Sequence, residues 1–393
     1  MLLLRFPFAI MQDDPRIGSD GMSVSLDPTK GITVGVLGTG RMAHLHLHAL
    51  DTIRRDGLVV DGVTWPVSLA VYGRDPAKVA ECARQYQTSL ATVDLNELID
   101  RPDVAVVDNC LVNALHYEPL LRAVRRGKHC FTDKPLTAEL HEAEALLEAA
   151  RGAGVHHGIV QNMRFQAGPA KAKELIDRGD LGRIFHVRVV FGYFVPQQIT
   201  NRPAWFYQKA QAGGGIVHDM MAHFFDLLRY MLGPIERVYA ETLTAFPERA
   251  DAAGNRFKAD VEDATAVTLR FRSGAIADVF ASWVRRKHEE VPFFEIDGEK
   301  GSLLCSFNEL RFQGQDQTAQ FRYDPTRKQT GFDEGWESIP LPAVDPFEIQ
   351  LRSFLTAVIA NRPCKPDWED AVINQRLIDA AYEAARTGQA QPV

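Results

Sequence analysis

A turn of small residues lies between an apolar segment and a helical one near the start of the chain. Residues 32–37 form an apolar run, and Gly38, Gly40 and Ala43 follow it at the start of a helical pattern. Such a turn lets the backbone bend tightly and approach a pyrophosphate, whose negative charge then meets the N-terminus of the helix. The alternative is a merely tight turn, but the order of strand, glycines and helix favours a dinucleotide site. The residues expected to contact the cofactor here are Gly38, Gly40, Arg41 and Met42.

The segments that follow alternate between apolar runs and helical patterns as far as residue 160. That alternation is typical of βαβ units and a parallel sheet. After about residue 163, strand-like runs follow one another with short connections, which indicates an antiparallel sheet. The predicted fold is therefore α/β, with a doubly wound parallel sheet of the Rossmann type followed by an α+β domain with a large, mostly antiparallel sheet. The predicted divisions are a flexible leader at 1–30, a dinucleotide-binding domain at 31–161, and a substrate and oligomerisation domain with C-terminal helices at 162–393.

Composition excludes several classes of function. The hydrophobic fraction is 46% and the charged fraction 24%, as in soluble globular proteins. The net charge of -7 gives no general attraction to nucleic acid. The apolar start is short, is interrupted by Arg5 and Pro7, and predicts neither a secretory signal nor a membrane segment. Because the five cysteines are scattered and lack a C-x-x-C pair, we expect a cytoplasmic protein. With neither a nucleic-acid nor a membrane partner indicated, the expected partner is a small-molecule substrate.

The end of the second strand of the first domain bears on the choice of cofactor. A dinucleotide site usually has an acidic residue there to bind the ribose of NAD, whereas this chain has Gly73, Arg74 and Asp75. Arg74 could pair with a 2′-phosphate, which favours NADP, while Asp75 could still serve NAD. Both residues could instead simply begin the next helix. The prediction is NAD(P) with a preference for NADP, and residues 56–66 are expected to be an inserted loop that lengthens this unit.

Two later segments resemble the Gfo/Idh/MocA oxidoreductases, a family named for glucose-fructose oxidoreductase and inositol dehydrogenase. They are residues 132–136 (TDKPL) and 213–223 (GGGIVHDMMAH), and the resemblance spans nearly the whole chain after residue 31. In that family a lysine and an Asp-x-x-x-His pair together form the catalytic site. The resemblance therefore implies that the catalytic residues of this chain are Lys134, Asp219 and His223.

The chemistry of these three residue types agrees with the resemblance. Asp219 and His223 are four residues apart on a predicted helix, so both side chains point from the same face. Imidazole titrates near neutral pH and can take the proton of an alcohol while hydride leaves its carbon. We expect His223 to be that base, Lys134 to stabilise the alkoxide, and Asp219 to orient the substrate or the imidazole. In isolation such a pair is more often simply exposed on a helix, and the lysine and the glycine run argue against that here.

Other positions of the family pattern allow competing interpretations. Asn113 and His116 follow the fourth strand, where the family has a Thr-Pro-Asn-x-x-His-like turn near the nicotinamide ribose, but Leu111 and Val112 replace Thr-Pro. Asn113 is equally compatible with a helix cap. Asp133 stands where the family commonly has glutamate, which shortens one carboxylate and keeps its charge. The further predicted cofactor contacts are Asn113, His116, Asp133 and Lys134. The predicted substrate-pocket residues are Arg164, Arg202 and Trp205, of which the first and the last could equally pack the two domains together.

We expect no metal. His44 and His48 have the spacing of helical metal ligands, but no third ligand is evident and their helix must pack on the sheet. The implied function is a dehydrogenase or reductase acting on a hydroxyl carbon of a sugar, polyol or glycoside. The alternatives are a glycosidase or lyase that oxidises its substrate transiently with a retained NAD, and a non-catalytic ligand sensor on the same fold. An apolar face of the antiparallel sheet predicts a homodimer or homotetramer.

Overall fold

The computed structural model describes residues 26–199, 202–286, 293–320, 325–326 and 334–393. Residues 1–25 of the predicted leader lie outside the described residues. Within the described part of the chain, no helix is both long enough and apolar enough to cross a membrane.

The first part of the chain builds a six-stranded parallel sheet. Its elements, in chain order, are β1 (Ile32–Leu37), α1 (Arg41–Asp56), β2 (Leu58–Val60), β3 (Val63–Trp65), β4 (Val67–Tyr72), α2 (Pro76–Tyr86), β5 (Leu90–Thr92), α3 (Leu95–Asp100), β6 (Val104–Asn109), α4 (Tyr117–Arg125), β7 (His129–Thr132), α5 (Leu140–Ala153) and β8 (His157–Ile159). The strand order is β5-β4-β1-β6-β7-β8, and all neighbouring strands are parallel. Strands β1 and β6 are buried along their whole length, as expected for a parallel sheet covered on both faces. The order reverses between β1 and β6, so the carboxyl ends of these strands flank the crevice where such sheets bind dinucleotides.

The second part builds a nine-stranded, mostly antiparallel sheet. Its elements are α6 (Ala167–Arg178), β9 (Ile184–Gly192), α7 (Lys209–Ala212), α8 (Ala222–Leu232), β10 (Ile235–Leu243), β11 (Glu248–Ala250), β12 (Arg256–Lys258), β13 (Ala264–Phe271), β14 (Ile276–Ser282), β15 (Phe293–Gly298), β16 (Gly301–Cys305), β17 (Leu310–Gly314), β18 (Glu337–Ser338), α9 (Pro346–Ile359), α10 (Trp368–Thr387) and β19 (Gln391–Pro392). The strand order is β18-β17-β16-β15-β9-β14-β13-β10-β19, and only β9 and β14 pair in parallel. The predicted fold class is thereby confirmed.

The expectation of an inserted loop at 56–66 is wrong, because β2 and β3 form an antiparallel hairpin there. Asp61 and Gly62 make its two-residue turn with positive φ angles of 49° and 83°, as turns that match the twist of a hairpin require. The side chains of Leu58 and Trp65 are buried in the core of the first lobe, which holds the hairpin in place. Each strand is only three residues long, too short for a clear alternation in the sequence.

The C-terminal helices connect the two lobes. Helix α9 contributes Leu351 and Phe354 to the core beneath the parallel sheet. Helix α10 contributes Trp368 to the first lobe and, two turns later, Leu377 to the second. The indole N–H of Trp368 donates to the carbonyl oxygen of Gly158 at 3.1 Å. The domain limits stay a prediction, since the chain after residue 162 packs on both lobes.

Candidate active site

The glycine turn after β1 has the shape of a phosphate cradle. Gly38 has a φ of 124°, and a Cβ at this position would lie 2.9 Å from the carbonyl oxygen of Cys110. Gly40 is the N-cap of α1 and has no side chain that could cap the helix. The amides of the first helical turn therefore remain available to an anion. Arg41 is exposed and Met42 half-buried at the start of the same helix. The residues at this turn therefore fit the pyrophosphate of a dinucleotide.

Gly73, Arg74 and Asp75 follow β4, and each has different neighbours. A Cβ on Gly73 would lie 2.6 Å from Cγ2 of Thr39 in the glycine turn, so these two loops pack directly against each other. Arg74 is exposed. The carboxylate of Asp75 accepts from the amide of Ala77 at 2.9 Å and caps α2. The structure thus gives Asp75 a helix-capping contact and leaves Arg74 exposed, next in sequence to the glycine that packs on the turn.

Lys134 and Asp219 meet where the two lobes face each other. Lys134 follows β7, and its Nζ donates to the carboxylate oxygen Oδ1 of Asp219 at 2.7 Å and to the carbonyl oxygen of the same residue at 2.6 Å. The carboxylate of Asp133 accepts from the Lys134 amide at 2.8 Å, which orients the lysine backbone. Burial opposes ionisation of Asp219, but Lys134 and Arg202 together keep the pKa of its carboxyl below the usual value.

Asp219 lies in a π-helical turn, Val217–Met221, that continues into α8. Such turns are frequent at functional sites because the wider winding changes the direction of the side chains. His223 lies in the first turn of α8, and its Nδ1 is 3.2 Å from the amide oxygen of Gln161. Burial, followed by the charge of Lys134, lowers the pKa of His223 to about 3. A neutral imidazole that donates from Nδ1 leaves Nε2 unprotonated and able to accept a proton.

Arg202 reaches the same carboxylate from the opposite side. Its guanidinium nitrogen Nη1 is 3.7 Å from Oδ2 of Asp219, and the other terminal nitrogen, Nη2, donates to the hydroxyl of Tyr193. The guanidinium also lies over the rings of Phe206, at 4.4 Å, and Trp283, at 5.4 Å. Burial raises the pKa of Tyr193 to about 12, so this phenol stays neutral.

Apart from Arg164, the remaining predicted residues fall into two groups. Asn113 donates to the carbonyl of Ala212 at 3.0 Å, and the buried His116 places its ring nitrogens 2.9 Å from the carbonyl of Pro135 and 3.0 Å from that of Leu111. These contacts join the β6 loop to the segments that carry Lys134 and Asp219. The half-buried ring of Trp205 packs against that of Phe206, with centroids 5.5 Å apart. Trp205 therefore lies next to the ring on which the Arg202 guanidinium stacks.

Arg164 makes its described contacts away from Lys134, Asp219 and His223. Its guanidinium makes two hydrogen bonds to the buried carboxylate of Asp226, at 2.6 and 2.5 Å, and lies 3.6 Å from Asp370. The ring of Tyr230 stacks on it at 4.8 Å. Through these contacts Arg164 connects α8 to α10. Its surroundings therefore fit a packing role rather than a role in the substrate pocket.

Two neighbours of the predicted catalytic residues, Gln161 and Tyr193, were not predicted from the sequence. Gln161 follows β8 at the carboxyl edge of the parallel sheet, and that position was its only signal. Tyr193 follows β9 and has no local motif. Potential metal ligands within the described residues converge in one group, the buried side chains of His46, Asp108 and Cys110, in which the His46 Nδ1 is 2.9 Å from the Asp108 carboxylate. Neither His44 nor His48 belongs to it.

Comparisons with known proteins agree with this geometry. Residues 32–160 match the oxidoreductase family described as having an NAD-binding Rossmann fold, and residues 170–304 match the GFO/IDH/MocA C-terminal domain. A D-xylose dehydrogenase of Paenarthrobacter nicotinovorans is 31% identical over 82% of this chain and 87% of its own length. A 2,7-anhydro-N-acetylneuraminate hydratase of Escherichia coli is 28% identical over 65% of this chain and 66% of its own. A solved levoglucosan dehydrogenase, in complex with NADH and L-sorbose, superposes with a TM-score of 0.81 at 26% identity and covers 92% of this chain and 98% of that one. The resemblance is confirmed: the chain belongs to the Gfo/Idh/MocA family of oxidoreductases.

Proposed function

We propose that this chain transfers a hydride between NAD(P) and a hydroxyl carbon of a sugar, polyol or glycoside, and that Lys134, Asp219 and His223 are its catalytic residues. The observation that carries the proposal is the meeting of Lys134 with Asp219 at 2.7 Å, one helical turn before His223. Lys134 follows a strand of the parallel sheet at its carboxyl end, the edge at which the glycine turn also lies. When bound, the nicotinamide ring supplies the hydride acceptor or donor.

Lys134 has one donor left for a substrate. An ammonium group offers three N–H donors, and two of them are directed at Asp219. The third can bind the reacting oxygen and stabilise the negative charge that grows on it. Asp219 accordingly fixes the direction of the ammonium, and its ionised form balances the lysine charge in a buried place.

His223 is placed to take the hydroxyl proton on its free Nε2. A histidine whose pKa lies at about 3 is a weak base, so it cannot perform this step on an unactivated alcohol. The ammonium of Lys134, in contact with the same oxygen, makes the alcohol more acidic and so matches it to the base. The two residues therefore act on one hydroxyl group, Lys134 on its oxygen and His223 on its proton.

For the cofactor we infer NAD(P) with a preference for NADP. The support is the exposed Arg74, together with the engagement of Asp75 as a helix cap. NAD is the alternative cofactor, because the similar levoglucosan dehydrogenase was solved in complex with NADH.

A second candidate is an elimination or hydration reaction in which the cofactor is reduced and reoxidised within one turnover. The similarity to a protein named 2,7-anhydro-N-acetylneuraminate hydratase favours it. Such a reaction would use the same lysine and histidine but would leave no net change in the nicotinamide.

We further infer that the chain forms a homodimer or homotetramer through its large sheet. On strand β14, Ile276 and Phe280 are 40% and 41% exposed, while the alternate residues Ala277, Val279 and Ala281 are buried. Asp278 lies between them on the same face, and the two exposed apolar side chains are the kind of surface that a second copy covers.

The direct test is a substrate panel that contains D-xylose, levoglucosan, myo-inositol and a 2,7-anhydro sugar, each with NAD⁺ and with NADP⁺. Stoichiometric reduction of the cofactor by one member supports the dehydrogenase. Conversion of a panel member without net reduction, detected by chromatography, supports the second candidate instead. Binding without conversion of any member would contradict both and support a ligand sensor.

A further inference from the structure

A buried carboxylate lies behind the turn that carries Asp219. Glu262 is 7% exposed and precedes strand β13. One of its carboxylate oxygens accepts from the amide of Gly215 at 3.0 Å and from the amide of Val217 at 2.9 Å. The amide of Ile216, between them, donates to the backbone carbonyl of Glu262 at 3.1 Å. Three consecutive amides at the start of the π turn therefore end on one residue.

The glycine run allows this close contact. The hydroxyl of Tyr382, from α10, donates to the same Glu262 oxygen at 2.9 Å. A Cβ on Gly214 would lie 2.0 Å from the Tyr382 hydroxyl oxygen, and a Cβ on Gly215 would lie 2.0 Å from the carbonyl oxygen of Glu262. At Gly215 a side chain would collide with backbone, and at Gly214 it would displace the Tyr382 hydroxyl from Glu262, so both glycines are needed for this contact independently of the cofactor.

The charge of Glu262 is expensive to bury. Within the described residues it forms no ion pair, so the two amides, the phenol and the positive end of the following helix are what stabilise it. Burial raises the pKa of its carboxyl, and the hydrogen bonds oppose that rise. Because burying a charge without a cation costs free energy, stability alone does not explain a glutamate at this position.

The contacts lead directly to the catalytic residues. The amide of Asp219 donates to the carbonyl oxygen of Gly215 at 2.9 Å, so a shift of the Gly215 peptide moves Asp219. Asp219 in turn fixes the Lys134 ammonium. The side chains of Glu262 and Tyr382 make no contact with Lys134 among those described, so they act through the π turn.

We propose that Glu262 is a positioning residue that holds the start of the π turn so that Asp219 meets Lys134, and that Tyr382 keeps the Glu262 carboxylate in place. The proposal rests on the proposed function for its kinetic consequences but not for its structural one. Glu262, next to the antiparallel sheet, and Tyr382, on the C-terminal helix α10, would thus support the catalytic residues from behind the π turn.

The structural consequence is tested by hydrogen–deuterium exchange of the peptide that covers 213–223, in the full chain without added sugar. Glu262→Gln replaces a charge-assisted acceptor by a neutral one, and such hydrogen bonds are about half as strong. We expect exchange of this segment to be about tenfold faster in the variant, and faster by less in Tyr382→Phe. The matched controls are Glu241→Gln and Tyr239→Phe, which break a surface Tyr–Glu contact in the same lobe and should leave the segment unchanged.

The kinetic consequence is tested with NADH affinity and with turnover of whichever panel sugar the wild type oxidises. Glu262→Gln should lower kcat by about 10- to 100-fold, since a misplaced catalytic group costs about that much, while the Kd for NADH stays within about twofold. A merely less stable protein would lose active molecules without this difference between kcat and cofactor affinity. Wild-type exchange at 213–223 in both Glu262→Gln and Tyr382→Phe would overturn the proposal. A wild type that oxidises no sugar would refute the proposed function, while the exchange result would still decide the role of Glu262.

Discussion

Three histidines that are buried as neutral imidazoles make this protein sensitive to mild acid. Burial lowers the pKa of His129 and of His218 to about 4, and that of His223 to about 3. In the unfolded chain each histidine titrates near pH 6.5, so below that pH the unfolded state binds protons that the folded state excludes. Their contribution to stability is therefore intact above about pH 6.5 and is lost as the pH falls toward 4.

The size of this loss follows from the two pKa values of each group. Between about pH 7.5 and about pH 5, proton linkage costs about 2 kcal/mol for each histidine and about 6 kcal/mol for the three together. Folded proteins have only about 5–15 kcal/mol of stability in total, so the loss is a large share of it. Urea unfolding at the two pH values, followed by tryptophan fluorescence, measures the difference.

A single variant separates these histidines from other acid-sensitive groups. His129 accepts from the amide of His156 at 3.0 Å through Nδ1, and His129→Gln retains an acceptor there. This variant should lose about 2 kcal/mol less than the wild type between the two pH values. The matched control is His48→Gln, at an exposed position, which should lose as much as the wild type. Equal losses in wild type and His129→Gln would refute the reasoning.

Three further predictions concern the cofactor, the packing and the assembly. Arg74→Ala should lower kcat/KM with NADP⁺ by about 10-fold or more and change the value with NAD⁺ little; a parent that already prefers NAD⁺ tenfold would contradict the role of Arg74. Arg164→Ala should destabilise the fold by about 3–5 kcal/mol, because Asp226 is left buried without its partner, and kcat per folded molecule should be retained; a large loss of kcat in fully folded protein would return Arg164 to the substrate pocket. Light scattering should find a dimer or tetramer that Phe280→Asp dissociates, and a monodisperse wild-type monomer at micromolar concentration would argue against the sheet interface.

Much of the fold could be predicted from the sequence because its signals are local. The glycine turn at 38–43 follows a buried strand and opens a helix, and each of these three patterns can be recognised within a few residues. The hairpin at 58–65 escaped because its strands are three residues long. Its stability comes from burial of Leu58 and Trp65 beside α9, a helix nearly 300 residues further along the chain.

The candidate site was predictable only as far as its motifs extend. The Asp-x-x-x-His spacing and the Lys-Pro segment suggested Lys134, Asp219 and His223, but the roles of these residues remain proposals. Arg164 illustrates the limit, because a basic residue after a strand looks the same in sequence whether it faces a substrate or a buried carboxylate such as Asp226. Glu262 illustrates the converse, since its importance depends on amides 45 or more positions away.

The assignment of the catalytic residues is tested by comparing wild type, Lys134→Met and His223→Ala for NADH affinity and for oxidation of the panel sugar that the wild type uses. General acid–base catalysis contributes about 10²- to 10⁴-fold, so His223→Ala should lower kcat by that factor, and Lys134→Met by at least as much. The Kd for NADH should change little in His223→Ala, whose side chain lies against Gln161 rather than the glycine turn. Retention of most of the wild-type kcat by His223→Ala would contradict the role of His223 and require a different base.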